Sequence, residues 1–317
     1  MAIFEFFSPF FIILIGFIFA RILSKIEDHS ISCVCFFIFL PAFLFRQSMS
    51  QDLFSNQFFL ILFFGVFHCA IQYLLASGIF RLFDVPSRTR RLFILISLTV
   101  SIVTFQKIRP MLGEPGNALE TIRILTFHHL VFLAFIGVYL GAGKERVNEN
   151  LFQVFKTPLT YFIVFGLILA GMQVSLPYEL LEFIDSFHTI TLPLALLLLG
   201  IMLGKYIFFF QFRDYSVLYA AAIVCMLLRL IVSPALAMLI TQLMGFDNVE
   251  LQRALILTAG APTGILAAVV VGVYGRSNEK RFTVLCIALT TLVSFITIPL
   301  LKLCVDYLFP LDIPTKL

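Results

Sequence analysis

Long apolar stretches recur along the whole chain, separated by short segments that carry most of its charge. A helix needs about 20 apolar residues to cross the ~30 Å hydrocarbon core of a bilayer. On that ruler the pattern predicts ten spans, roughly 6–23, 31–45, 58–83, 92–112, 124–143, 158–172, 190–210, 217–244, 254–275 and 282–303. The second and sixth are short, whereas the third and eighth are long enough to tilt or to begin in the interface. Because the stretches recur throughout, neither a signal peptide nor a single anchor explains them.

Prolines punctuate these spans at regular places. The stretch "RALILTAGAPTGILAAVVVGVYGR", residues 253–276, has an arginine at each end and Pro262, between Gly260 and Gly264, near its middle. Proline lacks an N–H and clashes with the preceding turn, so a helix interior excludes it at a cost of ~3 kcal/mol. Pro41 and Pro110 are 69 residues apart, and so are Pro193 and Pro262; the chain reads as two copies offset by 152. Copies of five spans each lie in opposite orientations, the inverted-repeat plan of many secondary transporters. The expected fold is an all-α polytopic membrane protein of ten transmembrane helices. They form two inverted five-helix repeats, 1–150 and 151–317, within one membrane domain, and helices 4 and 9 are broken crossover helices. A helix broken inside the bilayer leaves N–H and C=O groups that lipid cannot satisfy, so such breaks must face protein or a water-filled cavity. A plain packing kink at each proline is the alternative.

Composition agrees with a bilayer as solvent. Hydrophobic residues make up 61% of the 317 positions and charged residues 13%, mean hydropathy is +1.04, and 39 Phe stand against no Trp. A water-soluble domain has no need of so much apolar surface. Fourteen Lys and Arg fall in one set of alternate loops, among them Lys25, Arg88, Lys205 and Lys280. Seven, among them Arg46, Arg123 and Arg253, fall in the other set and at the termini. The bias predicts a multi-pass protein of the cell (inner or plasma) membrane with both termini outside the cytoplasm. It also accounts for the formal net charge of +4, so nucleic acid is not an expected partner. The six cysteines lie within or at the ends of spans, and Cys33 and Cys35 point to different helix faces. They read as small apolar packing residues, with no disulfide framework and no metal site. No cofactor is implied, a Walker-type GxxxxGK[ST] is absent, and the five His form no HExxH, so an enzyme is not expected.

Four blocks carry a resemblance: "TLPLALLLLGIMLG" (191–204), "LLRLIVSPALAML" (227–239), "LILTAGAPTGILAAVVVGVYG" (255–275) and "LTTLVSFITIPLL" (289–301). They resemble consecutive blocks of the auxin efflux carrier family, which includes plant PIN proteins and bacterial permeases for organic acids such as malate and malonate. Over the first half the resemblance rests on "FLPAFLF", span number and topology. It implies a scaffold of spans 1, 2, 6 and 7, a mobile part of spans 3–5 and 8–10, and elevator-like movement of an organic anion. The first crossover departs from the family pattern of Asn, then Gly, an apolar residue and Pro. Aligned on Pro110, the Asn, Gly and apolar positions hold Val103, Ile108 and Arg109; aligned on "LGEPG", the Asn, Gly and Pro positions hold Thr99, Thr104 and Gln106. Either register lacks the Asn and the Gly, so the family's amide contact to a carboxylate does not carry over.

The candidate substrate-binding residues are therefore Thr104, Gln106, Lys107, Arg109 and Pro110 at the first break, Ala261, Pro262 and Thr263 at the second, and Arg229. An ionised side chain within a membrane costs ~2.5 kcal/mol or more and usually faces a cavity or a partner. Arg suits a carboxylate because its planar fork binds both oxygens. For Lys107 and Arg109 the alternative is a position at the outer surface; for Arg229 it is pairing with a carboxylate or with carbonyls freed at Pro110 or Pro262. His128 and His129 point about 100° apart on a helix, which favours interhelical hydrogen bonds over a shared metal. The expected function is secondary transport of a small organic anion, mono- or dicarboxylate, with H+ or Na+ as an open choice of coupling ion and a homodimer left open. The competing expectation is a receptor or regulatory membrane protein that keeps a transporter fold without translocation.

Overall fold

The structure, a computed structural model, describes residues 2–310 apart from 24, 52–54, 84, 85, 103–114, 143–146, 207–215 and 247. Among the described residues the chain is helical, and its strand-like pairing is a single isolated bridge. In order, α1 is Ala2–Ile22, α2 Asp28–Met49, α3 Asn56–Phe80 and α4 Ser87–Leu98. Helix α5 begins as Pro115–Phe132 and continues through a π turn, Leu133–Gly137, to Val138–Ala142. Then follow α6 (Val147–Lys156), α7 (Pro158–Gly171) and α8 (Tyr178–Tyr206). Helix α9 begins as Ser216–Leu227 and continues through a π turn, Leu228–Val232, to Ser233–Leu243. The chain ends with α10 (Val249–Ala259), α11 (Leu266–Tyr274) and α12 (Ser277–Leu308).

Among the described residues six helices are long and apolar enough to cross a membrane: Asp28–Met49, Gln57–Phe80, Glu120–Ala142, Tyr178–Tyr206, Val217–Leu243 and Ser277–Leu308. A seventh is counted if Glu149–Lys156 and Pro158–Gly171, bent by 57° at their junction, form one crossing. The chain is thus a multi-pass, all-α membrane protein. Its outer faces carry exposed apolar side chains such as Phe59, Phe63, Leu292 and Ile296, which suits hydrocarbon rather than water as the surrounding medium.

Prolines act locally in two ways. Pro41 cannot donate to the carbonyl four residues before it, and α2 accommodates the gap with a π turn over Cys35–Phe39; Pro234 follows the π turn Leu228–Val232 of α9 in the same manner. Pro193, the partner of Pro41 in the repeat pattern, instead stays inside continuous α8. The fourth predicted span differs most. Expected as 92–112, it is helical to Leu98, interrupted over 99–101 and helical again at Ile102, and 103–114 lie outside the described residues.

Helix α1 lies along α8 with main chains in contact. A Cβ on Gly16 would overlap Leu197 O, and one on Gly200 would overlap Ile13 O. A Cβ on Gly204 would lie 2.8 Å from both Ala20 Cβ and Phe17 O. Gly16 with Ala20 and Gly200 with Gly204 are small residues at i and i+4, the spacing that lets membrane helices approach closely. Gly200→Ala should therefore lower the thermal unfolding midpoint of the detergent-solubilised protein by several degrees, since overpacking costs ~1–3 kcal/mol. Gly78→Ala, where an added Cβ meets nothing within 4 Å, should leave the midpoint unchanged or raise it. Equal effects of the two would remove the close-contact argument.

Charges cluster at opposite ends of these helices. At the start of α2, buried Asp28 accepts from Lys205 Nζ of α8 at 2.9 Å and from Lys280 Nζ of α12 at 2.7 Å. His29 Nδ1 donates to Gly272 O of α11 at 3.1 Å, and Arg88 of α4 pairs with Glu279 at 3.3 Å. At the other end of α2, Arg46 pairs with Asp185 of α8 at 2.5 Å.

Candidate functional site

The sequence around Pro262 breaks the helix as its residues dictate. Helix α10 stops at Ala259, Gly260 serves as its C-cap, and Gly260 to Ile265 link it to α11. A helix C-terminus exposes carbonyls with no intrahelical donor and a partial negative charge. Arg229, fully buried, answers them: Nε donates to Ala261 O at 2.8 Å, Nη2 to Ala259 O at 3.1 Å and Nη1 to Ser233 Oγ at 3.3 Å. Ser233 Oγ in turn donates to Ala259 O at 2.9 Å, and His68 Nε2 of α3 donates to Ser233 O at 3.0 Å. The π turn ahead of Pro234 contains Arg229, so the kink of α9 and the cap of α10 are one feature.

A second interruption meets this one. Residues 99–103 read "TVSIV", a β-branched run of low helix propensity. Helix α4 ends there without a proline, and Thr99 is extended at φ −72°, ψ 140°. Its last carbonyls are matched locally: Ser97 Oγ donates to Ile94 O, Thr99 Oγ1 to Ile96 O, and Gln72 Nε2 of α3 to Ser97 O. Val100 then bridges antiparallel to Thr263, with Ser101 N donating to Pro262 O at 2.9 Å and Gly264 N to Thr99 O at 3.2 Å. The two breaks thus satisfy each other's backbone groups where lipid offers nothing. A Cβ on residue 264 would overlap Val100 O, so glycine is required for the approach. Thr263 N donates to Thr290 Oγ1 at 3.2 Å, while Thr263 Oγ1 is buried without a partner among the described residues.

Residues 146–302 match the family model described as "Membrane transport protein". An uncharacterized transporter of Methanocaldococcus jannaschii is 23% identical over 304 residues, covering 91% of this chain and 94% of that protein. The chain belongs to the auxin efflux carrier family. As a family member it is a membrane transporter. The matched segment contains Arg229, Ser233 and the whole second break, so the family assignment and the crossing rest on overlapping residues.

Within this auxin efflux carrier, the candidates at the second break come together: Ala261 and Pro262 supply carbonyls, to Arg229 and to Ser101, and Thr263 supplies the bridge. Thr104, Gln106, Lys107, Arg109 and Pro110 lie outside the described residues. The described first break starts at Thr99, ahead of Pro110. Sequence reasoning missed Val100, Gly264, Gln72, Ser233 and Thr290 as partners in the crossing; the β-branched run after Leu98 was the available signal. His129 Nδ1 donates to Leu125 O at 2.7 Å, and the His128 ring packs against Gly65. Among the described residues no group of His, Cys, Asp or Glu is placed to hold a metal ion.

Space around the crossing is uneven. A void of about 10 Å³ lined by Thr99, Val100, His129 and Gly264 touches it directly, room for roughly one water. From Ile102 outward a cavity of about 420 Å³ opens between α2, α5 and α8.

Proposed function

We propose that this transporter carries a small organic anion, a mono- or dicarboxylate, by elevator-like alternating access. In this reading α4 and the α10–α11 pair are the broken fourth and ninth of ten crossings, arranged as two inverted repeats. Helices α1, α2, α7 and α8 form the scaffold, and α3–α5 with α9–α12 move. The observation that carries the proposal is the antiparallel crossing of Thr99–Ser101 with Pro262–Gly264, interrupted backbone paired with interrupted backbone. Next to it, Thr263 Oγ1 has no partner among the described residues, and the N-terminus of α11 supplies a partial positive charge. Support for alternating access comes from asymmetry along the scaffold boundary. One end is closed by Asp28 of α2 bound to Lys280 of α12, and the other opens as the cavity between α2, α5 and α8. Arg229 serves by holding the second break in shape.

The receptor reading is favoured by one feature, the absence of the family's Asn and Gly from the first break. Flux separates the two. Protein reconstituted in sealed vesicles should show saturable counterflow of at least one of benzoate, hexanoate, malonate, malate and succinate, and none of benzamide. Absence of flux for the whole panel by folded protein, with carboxylate binding retained, would replace the transporter mechanism with the receptor.

A further inference from the structure

The 420 Å³ cavity has an unusual charge balance. Two arginines line it, and their surroundings differ. Arg46 of α2 is neutralised by Asp185 of α8 at 2.5 Å. Arg123 of α5 makes no hydrogen bond or ion pair among the described residues, and its Nε is buried without a partner. A guanidinium with a buried, unmatched N–H next to a cavity lacks the acceptor that burial normally demands. Across the space, Gln47 Nε2 lies 3.2 Å from His188 Nε2; the amide N–H only donates, so the ring nitrogen accepts and His188 offers no charge there. The His188 ring stacks on Phe43, centroids 4.6 Å apart and planes 9° from parallel. With Ile122 and Leu192 these rings make an apolar wall. The described lining therefore presents one uncompensated cation against a flat apolar surface.

We propose that this cavity is an outer binding site for an organic monocarboxylate with an apolar body, its carboxylate held by the fork of Arg123 and its body against the His188–Phe43 stack. The inference rests on the organic-anion reading and deepens it. The volume falls within the ~300–1,000 Å³ of small-molecule sites, whereas the void at the crossing admits only water. An anion is thus held at Arg123 before the crossing opens to it. Asp185 sets the valence of the described lining: by neutralising Arg46 it leaves one cation there, that of Arg123, for one carboxylate.

Equilibrium dialysis of labelled benzoate against the purified full chain tests the site, with benzamide as the neutral probe. Wild type should bind benzoate in preference to benzamide. Arg123→Gln should weaken benzoate at least ~10-fold, as expected for losing a charge-assisted pair, and leave benzamide unchanged. Arg123→Lys should lie between, and Asp185→Asn, which frees Arg46, should raise the affinity for malonate relative to benzoate. An unchanged thermal unfolding midpoint shows that each variant is folded. Benzoate binding by Arg123→Gln equal to wild type overturns the proposal, as does a wild type that does not distinguish benzoate from benzamide. The vesicle assay separates the two ideas. Carboxylate flux with the same KM in wild type and Arg123→Gln removes this site and keeps the transporter; Arg123-dependent binding without flux in any protein keeps the site and removes the transport mechanism.

Discussion

Arg229→Ala should abolish carboxylate uptake and lower the thermal unfolding midpoint together. The guanidinium is fully buried and each of its three nitrogens is hydrogen-bonded, two of them to carbonyls at the end of α10. Truncation leaves the buried Ala261 O without its donor, a penalty of ~1–3 kcal/mol for each orphaned group. Ala259 O keeps Ser233 Oγ, so the damage concentrates at Ala261, the residue before Pro262. The break then loses the contact that fixes its direction. Arg229→Lys keeps the charge but offers donors from a single point, and should restore part of the midpoint and little of the uptake. Calorimetry in detergent and flux in vesicles measure the two effects. A folded Arg229→Ala protein with wild-type midpoint and uptake would show that the cap is dispensable.

Gly264→Val is the second substitution with a large expected effect. The atoms that an added Cβ meets are main-chain atoms of Val100, its O, then C at 2.9 Å and N at 3.3 Å, and main chain cannot rotate aside as a side chain does. Overpacking of ~1–3 kcal/mol would part the two segments and break the Gly264 N to Thr99 O bond, while the helices on either side keep their own contacts. The expected result is a protein that still inserts and purifies, with uptake reduced at least ~10-fold. Amide exchange is the direct check: Ser101 and Gly264 should be protected in wild type and lose protection in the variant, with α12 unaffected. Retained protection at both amides would mean that the crossing tolerates a side chain.

The apolar pattern made the helical, membrane-spanning character legible, because the length and hydropathy of a span are local properties. The second break was legible for the same reason, since Gly260, Pro262 and Gly264 state it within five residues. The first was harder. Pro110 drew attention as the obvious helix breaker, yet α4 ends at Leu98, where β-branched residues weaken the helix and the carbonyl of Pro262 and amide of Gly264 supply the competing partners. Half of that signal is 163 residues away along the chain, from Val100 to Thr263, and invisible locally. Arg229 shows the opposite case: its need for an acceptor followed from charge in an apolar run, and pairing with carbonyls freed near Pro262 was one of the expected choices. Arg123 carried no local mark beyond a loop charge; its significance arises because Asp185 pairs with Arg46, while Arg123 Nε is buried without a partner among the described residues.

The glycine-lined contact of α1 with α8 limits how the molecule can change shape. Where carbonyl oxygens sit directly against α-carbons, as Ile13 O does against Gly200, sliding α8 by the turn that brings Leu196 to the place of Gly200 would drive a leucine branch into a gap made for hydrogen. The pair therefore behaves as a single stiff plank. Any displacement during a work cycle must run along seams where side chains, which can swing and regroup, separate the neighbours.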